Sequence, residues 1–92
     1  MKITEIIWLE DIVEKLILKH NVKEQEVIEV FKNRPNVRFI EKGHHKAENV
    51  YAALGQTNSG RKLIVFFVHK GGKQALIISA REMTNSERKK NE

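Results

Sequence analysis

The sequence predicts an α+β fold: two amphipathic helices, then an antiparallel sheet, then a short basic helix. Three observations carry this reading. Apolar residues recur at helical spacing between Leu9 and Phe31. From Val37 onward the spacing shortens toward two. Turn residues punctuate the second half at Asn33-Arg34-Pro35-Asn36, Thr57-Asn58-Ser59-Gly60 and Gly71-Gly72. The predicted order is β-α-α-β-β-β-β-α, an antiparallel sheet packed against the two N-terminal helices.

Residues 3–8, with Ile6, Ile7 and Trp8, read as a short first strand. Leu9, Ile12, Val13, Leu16 and Ile17 then fall at i, i+3, i+4, i+7 and i+8, one stripe of a helix over residues 9–20. His20 continues that stripe, at a helix C-terminus where the dipole favours its charged form. Asn21 follows in the position where a left-handed residue ends a helix. A second helix fits residues 24–32, with Val27, Ile28 and Phe31 on one side and a weak cap in Lys23. Val37, Arg38 and Phe39 suggest a half-exposed strand, and residues 41–48 a polar loop. Residues 50–55 form the next strand, and residues 62–69, apolar on both faces, a central one. Gly71-Gly72 marks a tight hairpin into residues 74–80. Thr84-Asn85-Ser86-Glu87 has the form of a capping box that starts a helix carrying Arg88, Lys89 and Lys90.

The chain has 92 residues, enough for one domain spanning 1–92 with a modest core. It has no cysteine, which excludes disulfides, thiolate metal sites and cysteine nucleophiles. The longest clearly apolar run, residues 63–68, is far too short to span a membrane, and no signal-peptide pattern opens the sequence. The expected location is therefore the cytoplasm, with no membrane partner. Net charge is +5, but unevenly divided. Residues 1–30 hold four basic and seven acidic side chains, and residues 31–92 hold thirteen and five. Such a split suggests a polyanion-facing surface built from the second half.

The stretch Ile77-Ile78-Ser79-Ala80-Arg81-Glu82-Met83-Thr84-Asn85-Ser86-Glu87-Arg88 resembles the BrnT family of toxins from type II toxin–antitoxin modules, which have a RelE-like fold. Upstream, Gly60-Arg61 before a hydrophobic strand, Glu48 to Gly55 ending in Leu-Gly, the turn Lys19-His20-Asn21-Val22 and the opening Ile7-Trp8 resemble the family in the same order. Three positions depart from the family pattern: Asn21 stands for its glycine, Val50 for an arginine and Asn91 for an aromatic residue. The resemblance implies a metal-independent ribonuclease with no cofactor. It further implies messenger RNA as substrate, with the ribosome as one setting for cleavage, and arrest of translation. The implied partner is a DNA-binding ribbon-helix-helix antitoxin that forms a heterotetramer with the toxin.

RNA is cleaved when its 2′-hydroxyl attacks the adjacent phosphate in line, and a protein helps by orienting the groups, moving protons and stabilising the phosphoryl charge. Arginine suits the last task because its planar fork pairs with two phosphate oxygens. Arg81 is the first candidate, at the end of an apolar strand segment and just before the Thr84 helix start; the competing reading is a salt bridge to Glu82, Glu87 or an acidic helix. Arg61 shares facing parity with Leu63, Val65, Phe67 and His69, against a plain solvated strand-start charge. His69 ends that strand and titrates in the right range for acid–base work, against an ordinary surface histidine. Lys62, Arg88, Lys89, Trp8 and His20 are candidate RNA contacts. For Trp8 and for Tyr51 the alternative is a core anchor, and for His20 packing or capping. His44-His45 invites a metal reading, but no third ligand accompanies it, and no metal site is expected.

Two other functions fit the same residues: a non-catalytic RelE-like module that grips RNA or a protein, and a small dimeric DNA binder. Loss of toxicity when Arg81 and Arg61 become Ala separates the first from an enzyme. Specific duplex binding by the chain alone identifies the second, and the sequence lacks a clear recognition helix for it.

Overall fold

The computed structural model describes residues 1–43 and 48–90. Eight elements follow the expected order: β1 (Glu5–Ile7), α1 (Glu10–His20), α2 (Glu24–Lys32), β2 (Asn36–Glu41), β3 (Val50–Gln56), β4 (Lys62–His69), β5 (Gln74–Glu82) and α3 (Asn85–Lys90). The strands form one sheet in the order β1-β5-β4-β3-β2. β2 to β5 are an antiparallel meander with β4 at its centre. β1 breaks the expected all-antiparallel pattern, because it pairs parallel to β5, with Glu5 opposite Gln74 and Ile7 opposite Leu76. α1 and α2 carry the chain across one face of the sheet, from the β1 edge to the β2 edge, so the sheet is mixed.

Each helix end has a local cause. Asn21 adopts the left-handed conformation at φ 53°, donates from its N–H to the Ile17 carbonyl, and leaves the next N–H, of Val22, to reach the Leu16 carbonyl. That closes α1 as the sequence predicts. At the start of α2 the Glu26 carboxylate accepts the Lys23 backbone N–H at 3.1 Å, which supplies half of a capping box where a lysine side chain has no acceptor to offer. The capping box of α3 is complete: Glu87 accepts from Thr84 N–H at 2.8 Å and donates its own N–H to Thr84 Oγ1 at 3.2 Å.

The pairing register divides the sheet into two faces. Leu63, Val65 and Phe67 of β4 join Ala53, Ala75, Ile77, Val27, Val30 and Leu16 in the main core beneath α1 and α2. Phe31 of α2 meets Phe67 edge to face, with ring centroids 5.3 Å apart. Gly55 lets α2 sit close, since a Cβ there would lie 3.2 Å from both Pro35 Cβ and Val30 Cγ1. The opposite face holds a smaller cluster of Ala52, Leu54, Ile64 and Met83, with Phe66 against it. We call these the helix face and the open face. Ile78 is the extra residue of a bulge in β5, where Phe66 pairs with Ser79 and Phe67 with Ile77.

The buried stripe of α1 is narrower than its spacing suggests. Leu16 is buried and Ile12 half-buried, whereas Leu9 and Ile17 are exposed. His20 is also exposed, so it does not continue the buried stripe.

Candidate nucleic-acid interface

The rows of paired residues state which candidates share a face. Arg81 of β5 lies opposite Ile64 of β4, which lies opposite Leu54 of β3. The next row runs Arg38, Ala52, Phe66, Ser79. Residues directly opposite in a ladder point to the same side, so Arg38, Phe66 and Arg81 share the open face, and Lys62 has their parity. α3 crosses this face. It is tied at one end to β5 through Arg81 and Glu87, and at the other to β2, where Arg38 Nη2 donates to the Lys90 carbonyl at 3.3 Å. Arg88, Lys89 and Lys90 are exposed along it. The open face therefore gathers Arg38, Lys62, Arg81 and the cations of α3, a part of the basic side chains of the second half, while Arg61, Lys32 and Arg34 lie on the other side.

Arg81 is fixed on three sides. Nη1 and Nη2 donate to the two Glu87 oxygens at 2.7 and 2.9 Å, a bidentate pair. Nη1 also donates to the Glu82 carbonyl at 3.1 Å. The guanidinium carbon stands 5.7 Å from the Phe66 ring centroid, within cation–π range. The Arg81 hydrogen bonds hold the Glu87 carboxyl at about 2 against the opposing effect of burial, with the Thr84 N–H assisting. Glu87 in turn raises the Arg81 pKa. The pairing with Glu87 weighed from the sequence is therefore present. It takes only one edge of the fork. A guanidinium carries five N–H groups. Among the described residues, Nε–H and the second Nη2–H of Arg81 have no acceptor. Its side chain is 35% exposed. At the start of α3 the Thr84 N–H is already taken by Glu87, and the Glu87 N–H by Thr84.

Arg61 does something else. Its Nη1 donates to both Glu26 oxygens at 3.0 Å and to the Asn21 carbonyl at 2.7 Å, and Nη2 donates to the His20 carbonyl at 3.2 Å. Its Nε lies 3.5 Å from Glu82 Oε1. It thus satisfies carbonyls at the end of α1 and locks the α1–α2 turn to the start of β4. Neither a solvated charge nor an open phosphate fork describes it. Burial pushes the Glu26 pKa up, but the Lys23 backbone N–H and Arg61 outweigh it and hold the carboxyl below its ordinary value.

His69 sits at the other end of β4, eight residue steps and roughly 26 Å from Arg61 at about 3.3 Å per step. Its Nε2–H donates to the Gly72 carbonyl at 2.9 Å, inside the hairpin, and its ring meets Tyr51 edge-on. Arg61, His69 and Arg81 therefore do not converge on one phosphate. Arg61 and His69 have helix-face parity, and Arg81 is on the open face. Trp8 is half-buried against the main core, as is Tyr51, stacked on Phe67 with centroids 5.9 Å apart. The core-anchor alternative describes both. His20 is exposed beside the Arg61 cluster, on the other side of the sheet from Arg81. Sequence reasoning missed Phe66 and Arg38. Both were legible in principle, since Phe66 shares parity with Lys62 along β4 and Arg38 alternates with Val37 and Phe39. His44, His45 and Asn91 lie outside the described residues. Among the described residues no group of three or more His, Asp or Glu side chains comes together as a metal site.

The sequence matches the family described as "Ribonuclease toxin, BrnT, of type II toxin-antitoxin system" over residues 8–87. The chain belongs to this family. It is accordingly a ribonuclease toxin, an endoribonuclease with RNA as substrate and an antitoxin as partner. The fold agrees. The crystal structure of the Brucella abortus ribonuclease toxin BrnT superposes with a TM-score of 0.65 at 23% identity, covering 89% of this chain and all of that one. The RelE-like architecture expected from the resemblance is consistent in outline with the five-stranded mixed sheet and three helices. No curated protein matches the sequence significantly. Among the described residues, no helix is long and apolar enough to cross a membrane.

Proposed function

We propose that RNA lies across the open face, with its scissile phosphate on the Nε–Nη2 edge of Arg81. The observation that carries this is the unfilled edge of that fork, on the face that also holds Arg38, Lys62 and Arg88. Glu87 occupies the opposite edge and orients the guanidinium, so the donors are set before substrate arrives. Phe66 supports the guanidinium from below. In the step itself the 2′-oxygen attacks phosphorus in line, the bond to the 5′-oxygen breaks, and a cyclic phosphate and a 5′-hydroxyl form. The 2′-hydroxyl proton passes to solvent water and the 5′-oxygen takes one from solvent, so the step is proton-neutral. Arg81 stabilises the added charge on the phosphoryl oxygens, a task that asks for no metal ion. Lys62, Arg88 and Lys89 hold flanking phosphates.

In this reading residues 1–92 act as one toxin domain in the cytoplasm, cleaving messenger RNA, with the ribosome as one setting. A ribbon-helix-helix antitoxin that binds DNA neutralises it in a heterotetramer. Arg61 supports the domain and does not touch substrate, and His69 lies too far from Arg81 to exchange protons at the same phosphate. Single-turnover cleavage of a short RNA by Arg81→Ala and Arg61→Ala tests the reading. Loss of one such donor typically costs about 100- to 1,000-fold. Arg81→Ala is expected to fall by that factor, and Arg61→Ala to keep its rate per folded molecule. The reverse ranking moves the site to the Arg61 cluster.

A further inference from the structure

A broad groove lies away from the open face. It has a volume of about 640 Å³ and lies between the N-terminal segment, α2 and the start of β2. Its floor is apolar, formed by Ile3, Ile6, Ile28, Phe31 and Val37. Val37 lies opposite Ala53 of the main core, which puts the groove on the helix face, across the sheet from Arg81. Lys2, Lys32 and Arg34 stand among its lining residues, and no acidic side chain does. Among the described residues none of these three cations has an ion-pair partner, in contrast to Arg61 and Arg81. Arg34 is held at φ 54°, a conformation uncommon outside glycine, directly before Pro35.

We infer that this groove is a docking site for an acidic, amphipathic segment of the cognate antitoxin. The family supplies a protein partner, and the chemistry of the groove states what part of it fits. An apolar floor inside a rim of unpaired cations accepts aliphatic or aromatic side chains flanked by Asp and Glu. A volume in the roughly 300–1,000 Å³ range of ligand sites takes several such side chains. RNA fits less well. Apart from the cations the groove offers few groups to read a base, and Phe31 is held edge to face against Phe67, not laid flat for stacking. A second copy meeting the groove about a two-fold axis would bring Lys2, Lys32 and Arg34 against themselves. The docking site is separate from the face that holds Arg81, so the antitoxin is anchored at a distance from the residue proposed to act on RNA. This inference rests on family membership and stands whether or not Arg81 holds the phosphate.

The test is the dissociation constant of the purified chain with its cognate antitoxin, measured by calorimetry alongside RNA cleavage. The double variant Lys32→Glu/Arg34→Glu reverses two exposed charges, and Ile28→Ala shortens the floor. Lys62→Glu/Lys89→Glu on the open face is the comparison, and melting curves confirm that each variant folds. The expected result is at least tenfold weaker antitoxin binding for both groove variants, a shallower salt dependence for the charge reversal, and unchanged RNA cleavage. Unchanged antitoxin affinity in both groove variants overturns the inference. So does a loss of RNA binding with antitoxin affinity retained, which assigns the groove to substrate. Concentration-dependent self-association of the chain alone that the groove variants abolish assigns it to a second copy.

Discussion

Glu87→Gln isolates the Arg81–Glu87 ion pair, because a glutamine can still accept the Thr84 N–H and keep the α3 cap. A carboxyl lowered from 4.5 to about 2 corresponds at face value to ~3 kcal/mol of folded-state preference at 1.36 kcal/mol per pH unit. The side chains are 35% and 24% exposed, and solvent screening reduces the expected contribution to about 1 kcal/mol. For a domain of this length that lowers Tm by about 4–8 °C at neutral pH. The pH dependence has a definite sign. A carboxyl whose pKa is depressed by folding stabilises above its unfolded value and loses that contribution as pH falls through its folded value. The difference in Tm between the native chain and Glu87→Gln should therefore be constant above pH ~5 and vanish between about 4.5 and 2. Circular dichroism melts across pH 2–7 read this directly. A gap that persists at pH 2, or none at pH 7, refutes the ion-pair argument. RNA cleavage in the same variant should fall about tenfold as Arg81 loses its orientation. Cleavage unchanged at reduced Tm would mean that Glu87 only staples α3 to the sheet.

Arg61→Ala removes hydrogen bonds to Glu26 and to the His20 and Asn21 carbonyls. Bonds to charged groups contribute about 1.5–3 kcal/mol, and chemical denaturation should show a loss of about that size. Asn21→Val places a β-branched residue at φ 53° and should cost ~1–2 kcal/mol, whereas Asn21→Gly should equal or exceed the native Tm. Phe67→Ala empties the centre of the main core and should cost about 3–5 kcal/mol, enough to leave the chain largely unfolded at 37 °C by circular dichroism.

Local chemistry was the legible part of this sequence. Asn21, Gly71-Gly72 and the Thr84–Glu87 box each act within a few residues of themselves, and each is found where its type demands. β4 was legible as central because both its faces are apolar, where an edge or one-sided strand carries polar residues on one face. What could not be read was long-range. β1 is three residues long, and its parallel pairing depends on where the α1–α2 crossing delivers the chain. The fate of Arg61 depends on Glu26 and the α1 carbonyls, 35 to 41 positions away. Parity along β4 put Arg61, Phe67 and His69 on one side correctly, but it could not say that α1 and α2 cover that side. The same parity, followed to Phe66 and across to Arg38 and Arg81, marks the open face once the register is known. Charge asymmetry marked the second half of the chain, whose cations the fold divides between the two faces of the sheet.

The central claim is that RNA occupies the open face at Arg81. Its most direct measurement is a titration of the isotope-labelled chain with a short RNA whose 2′-oxygens are methylated, so that it binds without being cleaved, followed by amide and arginine Nε resonances. The account predicts the largest shifts at Arg81 Nε, Phe66, Ser79 and the residues of α3, with Arg61 and the groove residues Ile28 and Lys32 little changed. Shifts concentrated on His20, Asn21, Glu26 and Arg61, with Arg81 Nε unmoved, would contradict it.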